Sequence, residues 1–195
     1  MTTKLPTDFT CSRYGISFRL VTEKDALFIL ELRTDEKLKR FIHDTDNDVD
    51  KQKEWIRAYK EREGKGTEYY FVVSKADNME DIGVIRIYNI HDKTFTVGSI
   101  IMKPDSPLYG VLAATIIAKE IAFETLGMEL EDCYDGVHVD NKQVIKLSLS
   151  WGKTEYRRFM DVKGEYIAFR LTKEDYLKVK PKKLRQLKMV MGEKI

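Results

Sequence analysis

The side chains able to move a proton or hold a charged ligand are few and scattered. There are three histidines. His138 ends an extended run beside Val137, where an imidazole could take up a proton near neutral pH or simply face solvent at a strand end. His91 lies in turn chemistry, His91-Asp92-Lys93, and His43 in a polar stretch between two helical segments. Arg33 and Arg86 carry guanidinium forks that fit phosphate oxygens, and each could equally be an ion-pair partner. Tyr88 falls at a position that strand alternation could turn either to a core or to a ligand. Trp55 shares a helix face with Ile56 and Tyr59 and reads as packing. Cys11 and Cys133 are too few for a disulfide framework or a zinc pattern, so two reduced thiols and no metal are expected.

Composition excludes several classes. The chain has 195 residues with 34 basic and 32 acidic side chains, a net charge of +2, which argues against a dedicated nucleic-acid binder. The basic residues Lys178, Lys180, Lys182, Lys183, Arg185 and Lys188 concentrate on one segment, which reads as a solvated helix face. The longest apolar-rich run, Leu108 to Ile121, is interrupted by Lys119 and Glu120 and falls short of the roughly 20 residues a membrane span needs. The first residues, Met1 to Pro6, lack an apolar signal core. A cytoplasmic protein with no membrane partner is expected.

The elements that must position these side chains follow from periodicity and breakers. Ile16 to Val21 alternates as a strand, and Thr22-Glu23-Lys24-Asp25 starts a helix like a capping box. Asp48 or Asp50 can cap a second helix, Lys51 to Glu63, that Gly64-Lys65-Gly66 ends. Strands are expected over Glu68 to Ser74, Ile82 to Ile90 and Thr94 to Met102, joined by short turns and therefore antiparallel. Pro107 to Leu126 is helical and stops at Gly127. An extended run, Asp132 to Val139, precedes a helix from Asn141 to Trp151. A hairpin around Lys163-Gly164 joins Thr154–Met160 to Tyr166–Leu171, and Thr172 starts a last helix. The strand–helix–strand unit in the middle requires a right-handed crossover and two parallel strands, and ligands in such sheets sit where parallel strand ends diverge.

This order resembles the GCN5-related N-acetyltransferases over residues 14–178, with an N-terminal extension over 1–13 and a basic helical tail over 179–195. The local likeness runs through Leu32-Arg33-Thr34-Asp35-Glu36-Lys37-Leu38, Lys51-Gln52-Lys53-Glu54-Trp55-Ile56 and Ile82-Gly83-Val84-Ile85-Arg86-Ile87-Tyr88. It continues through Phe95-Thr96-Val97-Gly98-Ser99-Ile100-Ile101, Ser106-Pro107-Leu108-Tyr109, and the set Val137, Asn141, Val144 and Gly152. The branch that it is most similar to contains the ribosomal-protein alanine acetyltransferases, and within it the acetyltransferases of surface-polysaccharide synthesis that act on nucleotide-linked amino sugars. The implied fold is α/β (α+β): a mixed, mostly antiparallel sheet of six to seven strands around a central strand–helix–strand unit, with helices on both faces.

The resemblance implies acetyl-CoA as acyl donor and a small-molecule amine as acceptor, and a homodimer is compatible with it. The cofactor's pyrophosphate belongs at the start of the central helix, around Tyr109, Gly110, Val111 and Leu112. Its amide-rich arm belongs along Ile100, Ile101 and Met102, with Asn141 able to hydrogen-bond it. The acceptor side is expected to involve Arg33, His43, Arg86 and Tyr88. A neutral amine attacks the thioester directly, so the protein has to orient the partners, donate an N–H near Ile101 or Met102 to the oxyanion and move a proton. His138 and Ser148 are the catalytic candidates. Ser148 stands where many members carry an acidic tyrosine, seven residues after the asparagine. The phosphate loop also departs from the pattern, since Ser106 to Ala113 retains a single glycine, Gly110. Two readings compete with the amino-sugar acceptor: a protein N-terminus or small amine as acceptor, and a non-catalytic acyl-CoA-binding module.

Overall fold

A computed structural model describes residues 3–38, 41 and 45–192. Eight strands form one sheet in the order β1-β2-β3-β4-β5-β6-β8-β7. They are β1 (Thr10–Arg13), β2 (Ile16–Leu20), β3 (Tyr69–Lys75), β4 (Asp81–His91), β5 (Thr94–Met102), β6 (Leu130–His138), β7 (Thr154–Asp161) and β8 (Gly164–Thr172). The helices are α1 (Ala26–Thr34), α2 (Val49–Lys65), α3 (Gly110–Glu120), α4 (Lys142–Ser150) and α5 (Lys173–Val190). All pairings are antiparallel except β5 with β6.

The sheet has one strand more than the pattern led us to expect. Thr10–Arg13 carries little apolar alternation, but Tyr14 and Gly15, both with positive φ, make a two-residue turn that folds it back on β2. The same turn chemistry closes β4 onto β5, where Asp92 and Lys93 sit at φ 44° and 63°. The helix signals also fold as written. The Asp48 carboxylate accepts from the N–H groups of Asp50 and Lys51, and Gly66 ends α2 in the left-handed region. The Thr172 hydroxyl accepts from the Asp175 N–H at the start of α5.

The sheet has helices on both faces. On one, Val21, Ile29, Leu32, Ile56, Tyr59, Tyr70, Val72, Val84 and Ile101 join α1 and α2 to the strands. On the other, α3 and α5 cover Phe18, Phe71, Ile85, Ile87 and Phe95, and aromatic contacts link Phe95, Phe123, Tyr176 and Trp151 in sequence. α5 runs back along α3: the Lys180 ammonium holds Glu120 and Glu124 near the C-terminal end of α3, while Lys183 and Gln186 lie beside Val111 and Leu112 at its start. α3 itself widens into a π turn over Ile121–Thr125, where the Leu126 N–H reaches back to the Ile121 carbonyl.

Candidate active site

The parallel pair that the sequence calls for is short. β5 and β6 are in register only at Thr94–Leu130 and Phe95–Glu131, and one further link follows, the Thr96 hydroxyl on the Asp132 carbonyl at 2.6 Å. Beyond it the strands part. Two irregularities produce the wedge. On β5, the register slips by one residue between Gly98 and Ile101, with Ser99 at φ 49°. On β6, two extra residues between Cys133 and Val137, with Gly136 at φ 73°, carry the strand toward β8. The β6-facing backbone edge of β5 from Val97 to Met102 is thereby left without strand partners, as an amide-rich ligand requires.

A buried charge cluster stands at the closed end of this wedge. Glu131, fully buried, receives the Lys119 ammonium of α3 and the Lys153 ammonium, the latter at 2.5 Å. Lys153 also lies 3.1 Å from the Cys133 sulfur. Burial favours the neutral acid, but the two ammonium groups outweigh it and hold the Glu131 carboxyl below its usual range. Burial pulls Lys119 down to about 8, against the attraction of Glu131. At Lys153 the same penalty is outweighed by Cys133 and Glu131, and its pKa is raised. Burial pushes the Cys133 thiol up, against the attraction of Lys153.

The start of α3 stands over the open end. Its loop is tied to β4: the Lys103 N–H bonds the Ile82 carbonyl at 2.8 Å, and the Ser106 hydroxyl bonds the carbonyls of Lys103 and Ile82. The Gly110 N–H closes a turn on Pro107, so Val111 and Leu112 head the first turn, whose N–H groups have no acceptor within the helix. Tyr109 contributes its backbone here. Its ring is turned away to the β1–β2 turn, where a Cβ on Gly15 would stand 2.9 Å from its hydroxyl. Leu108 is 95% exposed and Val111 39%. Apolar side chains left in the open beside unsatisfied N–H groups suit a ligand with both phosphate and a flat apolar part.

Asn141 N-caps α4. Its Oδ1 accepts from the Val144 N–H at 3.2 Å, which leaves its NH2 group to donate. Ser148 is buried on the second turn of the same helix.

His138 is held differently. The Asp140 N–H donates to Nδ1 at 3.1 Å, so that nitrogen is the acceptor and Nε2 carries the hydrogen, which it donates to the Lys163 carbonyl at 3.0 Å. The ring packs on Phe41 and Tyr166, and a Cβ on Gly164 would strike it. Neither nitrogen offers a free lone pair, and the imidazole fastens β6 to the β7–β8 turn.

On the opposite face of the sheet, Arg86 gives two hydrogen bonds to Glu68 and stacks over Trp55, Tyr70 and Tyr88. Its charge is committed within the protein. Arg33 donates to the Thr45 hydroxyl at 2.8 Å, and burial lowers its pKa. Tyr88 lies against Gly98 at the β5 bulge, where burial, then Cys133 and Asp135, push it up to about 12. His43 lies outside the described residues. Ile100–Met102 thus lie on the open β5 edge, Tyr109–Leu112 at the α3 start, and Asn141 and Ser148 on α4, which follows β6. The Glu131 cluster had a signal in the sequence, two charges inside an apolar helical run, that could have pointed to it.

No helix among the described residues is long and apolar enough to cross a membrane. No curated protein sequence matches the chain. Among solved structures, the chain is similar to apo FdhC, described as a nucleotide-linked sugar GNAT, at 31% identity and a TM-score of 0.77, covering 92% of this chain and 99% of that one. It is similar in fold to the ribosomal-protein-S5-alanine acetyltransferase of Vibrio fischeri, at 15% identity and TM-score 0.73 over 87% of this chain and 99% of that one. The same holds for the spermidine N-acetyltransferase of Vibrio cholerae in complex with CoA and spermine, at 18% and 0.71 over 85% and 99%. The sequence model of the acetyltransferase (GNAT) domain matches residues 16–153, the span from β2 through the wedge, the α3 start and α4. The chain therefore belongs to the GNAT acetyltransferases, acetyl-CoA-dependent N-acetyltransferases, as its motifs led us to expect.

Proposed function

We propose that the acceptor is the primary amine of a nucleotide-linked amino sugar. The observation that carries this reading is the 31% identity, over 92% of the chain, to a GNAT described as acting on a nucleotide-linked sugar. Acetyl-CoA supplies a thioester whose carbonyl carbon is already activated toward an amine. The chain's own residues bind and orient. The first turn of α3, Gly110 to Leu112, is assigned to the pyrophosphate, the β5 edge at Ile100–Met102 to the amide arm, and the Asn141 NH2 to a carbonyl of that arm. An N–H of Ile101 or Met102 is assigned to the developing oxyanion, where a fixed donor costs no reorganisation. With both His138 nitrogens engaged, the amine proton passes to water, for which Ser148 is the candidate hydroxyl, and the C–S bond breaks with CoA leaving as its thiolate. Arg33 and Tyr88 are assigned to the acceptor side, and Arg86 supports them through Tyr88.

Incubation with radiolabelled acetyl-CoA and three acceptor panels tests the reading. Nucleotide amino sugars are expected to be labelled ahead of polyamines and of peptides with free N-termini. Labelling of peptides or polyamines alone overturns the sugar reading, and tight donor binding without transfer to any amine supports a non-catalytic module.

A further inference from the structure

The arginines of the last two strands are not alike. Arg158 holds Glu155 and Glu165, and Arg170 holds Asp132. Arg157 has no carboxylate within ion-pair distance among the described residues. Its guanidinium lies between two rings, with Cζ 4.1 Å from the centroid of Tyr134 and 4.4 Å from that of Phe159. Nη2 donates to the Tyr134 carbonyl at 2.9 Å. Nε is buried without an acceptor, and Nη1, the nitrogen left to solvent, donates to no protein group. An uncompensated guanidinium held flat between rings is a fork fixed in advance for an anion.

The clamp is made by the same bulge that opens the wedge. The two extra residues of β6 between Cys133 and Val137 bring the Tyr134 ring over Arg157. Gly136 lets the Phe159 ring pass beneath, since a Cβ there would stand 2.9 Å from it. On β8, Arg157 pairs with Ala168 and Phe159 with Tyr166. That is the face away from Ile167 and Phe169, which pack with Ile145 of α4. Arg157 therefore shares the face of α1, α2 and Tyr88, the one assigned to the acceptor. The Asn89 amide, next to Tyr88 on β4, reaches the Asp135 carboxylate of the bulge at 3.4 Å, so the bulge borders that side. β8 separates β7 from β6, which sets β7 about 10 Å from β6. One sugar ring and the diphosphate attached to it can bridge that distance.

We propose that Arg157 anchors the diphosphate of the nucleotide-linked acceptor, with Nη1 donating to a phosphate oxygen and the outer face of the Tyr134 ring, 57% exposed, taking the base. The proposal rests on the acceptor reading above. It names the residue that tells a nucleotide-linked amino sugar from the free amino sugar.

Titration calorimetry on CoA-saturated protein tests it, because the donor's own phosphate site is then filled. UDP, dTDP, CDP and GDP are each compared with the parent nucleoside. For at least one pair the diphosphate is expected to bind about tenfold more tightly, or better. Arg157→Met keeps an apolar stem between the two rings and is expected to cut that preference to about twofold, with CoA affinity unchanged. Arg157→Gln, which keeps a donor for the Tyr134 carbonyl, decides the matter if Arg157→Met fails to fold. A preference that survives substitution overturns this proposal alone. So does equal binding of every pair by a protein that acetylates nucleotide amino sugars. Equal binding by a protein that acetylates none of them overturns the acceptor reading along with it.

Discussion

Strand β5 is held in opposite ways on its two edges. Toward β4 it is paired from Thr94 to Met102, and the ladder absorbs a bulge at Ser99 without opening. Toward β6 it is paired at Thr94 and Phe95 and then let go. One edge makes a sheet and the other leaves an open slot. What separates them is local chemistry: a left-handed residue on β5, a two-residue bulge on β6, and a buried carboxylate clamped by two lysines where the strands part. Closure on one side and opening on the other are both built in.

The largest test strikes the clamp. Glu131→Gln leaves Lys119 and Lys153 buried with no carboxylate, and is expected to cost about 3–5 kcal/mol of stability in urea unfolding. The same group sets an acid limb. Its native pKa lies below the unfolded value, so the native state binds fewer protons, and its stabilisation is present above about pH 4.3 and is lost as pH falls through the native value. A pH series of urea midpoints is expected to show that limb flattened in Glu131→Gln, and an unchanged limb would remove the clamp from the account.

Next comes the bulge. Ser99→Val forces a β-branched residue into φ 49° and is expected to cost about 1–3 kcal/mol and to raise the KM for acetyl-CoA, whereas Ser99→Gly keeps both near their starting values. If Ser99→Val binds the donor normally, the bulge does not shape the slot. A smaller effect is expected at the rim. Asn141→Ala removes the α4 cap, costs about 1 kcal/mol of stability, and weakens CoA binding in titration calorimetry. Asn141→Asp, which keeps the cap acceptor but loses the NH2, is expected to restore stability and not affinity. The smallest effect on rate is expected from His138→Ala. It gives up two hydrogen bonds and lowers the melting temperature, but kcat at saturating donor falls by less than about tenfold; a larger fall returns His138 to the role of proton acceptor.

Much of the fold could be read from particular residues. Thr94–Met102 was bounded correctly because His91-Asp92-Lys93 is strong turn chemistry, and Thr172 and Asp48 announced their helices by capping. Legibility fails where long-range contacts decide. β1 carries almost no alternation and exists because Tyr14-Gly15 folds it onto β2. Arg86 reads as a phosphate ligand until Glu68, 18 residues earlier, is seen to occupy it. Lys119 reads as a polar break in an apolar run, although the break itself marks a charge carried into the core to meet Glu131. Ser99 has no signal, because a serine in the left-handed region looks like any other serine. Asn141 reads in the sequence as a candidate donor to a cofactor arm, whereas its task as a cap follows from where α4 begins.

The turn at Tyr14-Gly15, the ring of Tyr109 and the side chain of Met191 meet at one point beneath the start of α3. Two segments far apart in the sequence therefore brace the same helix cap. A nascent chain can assemble the β2–β5 meander as it emerges, but the underside of the α3 start is not closed until Met191 has followed.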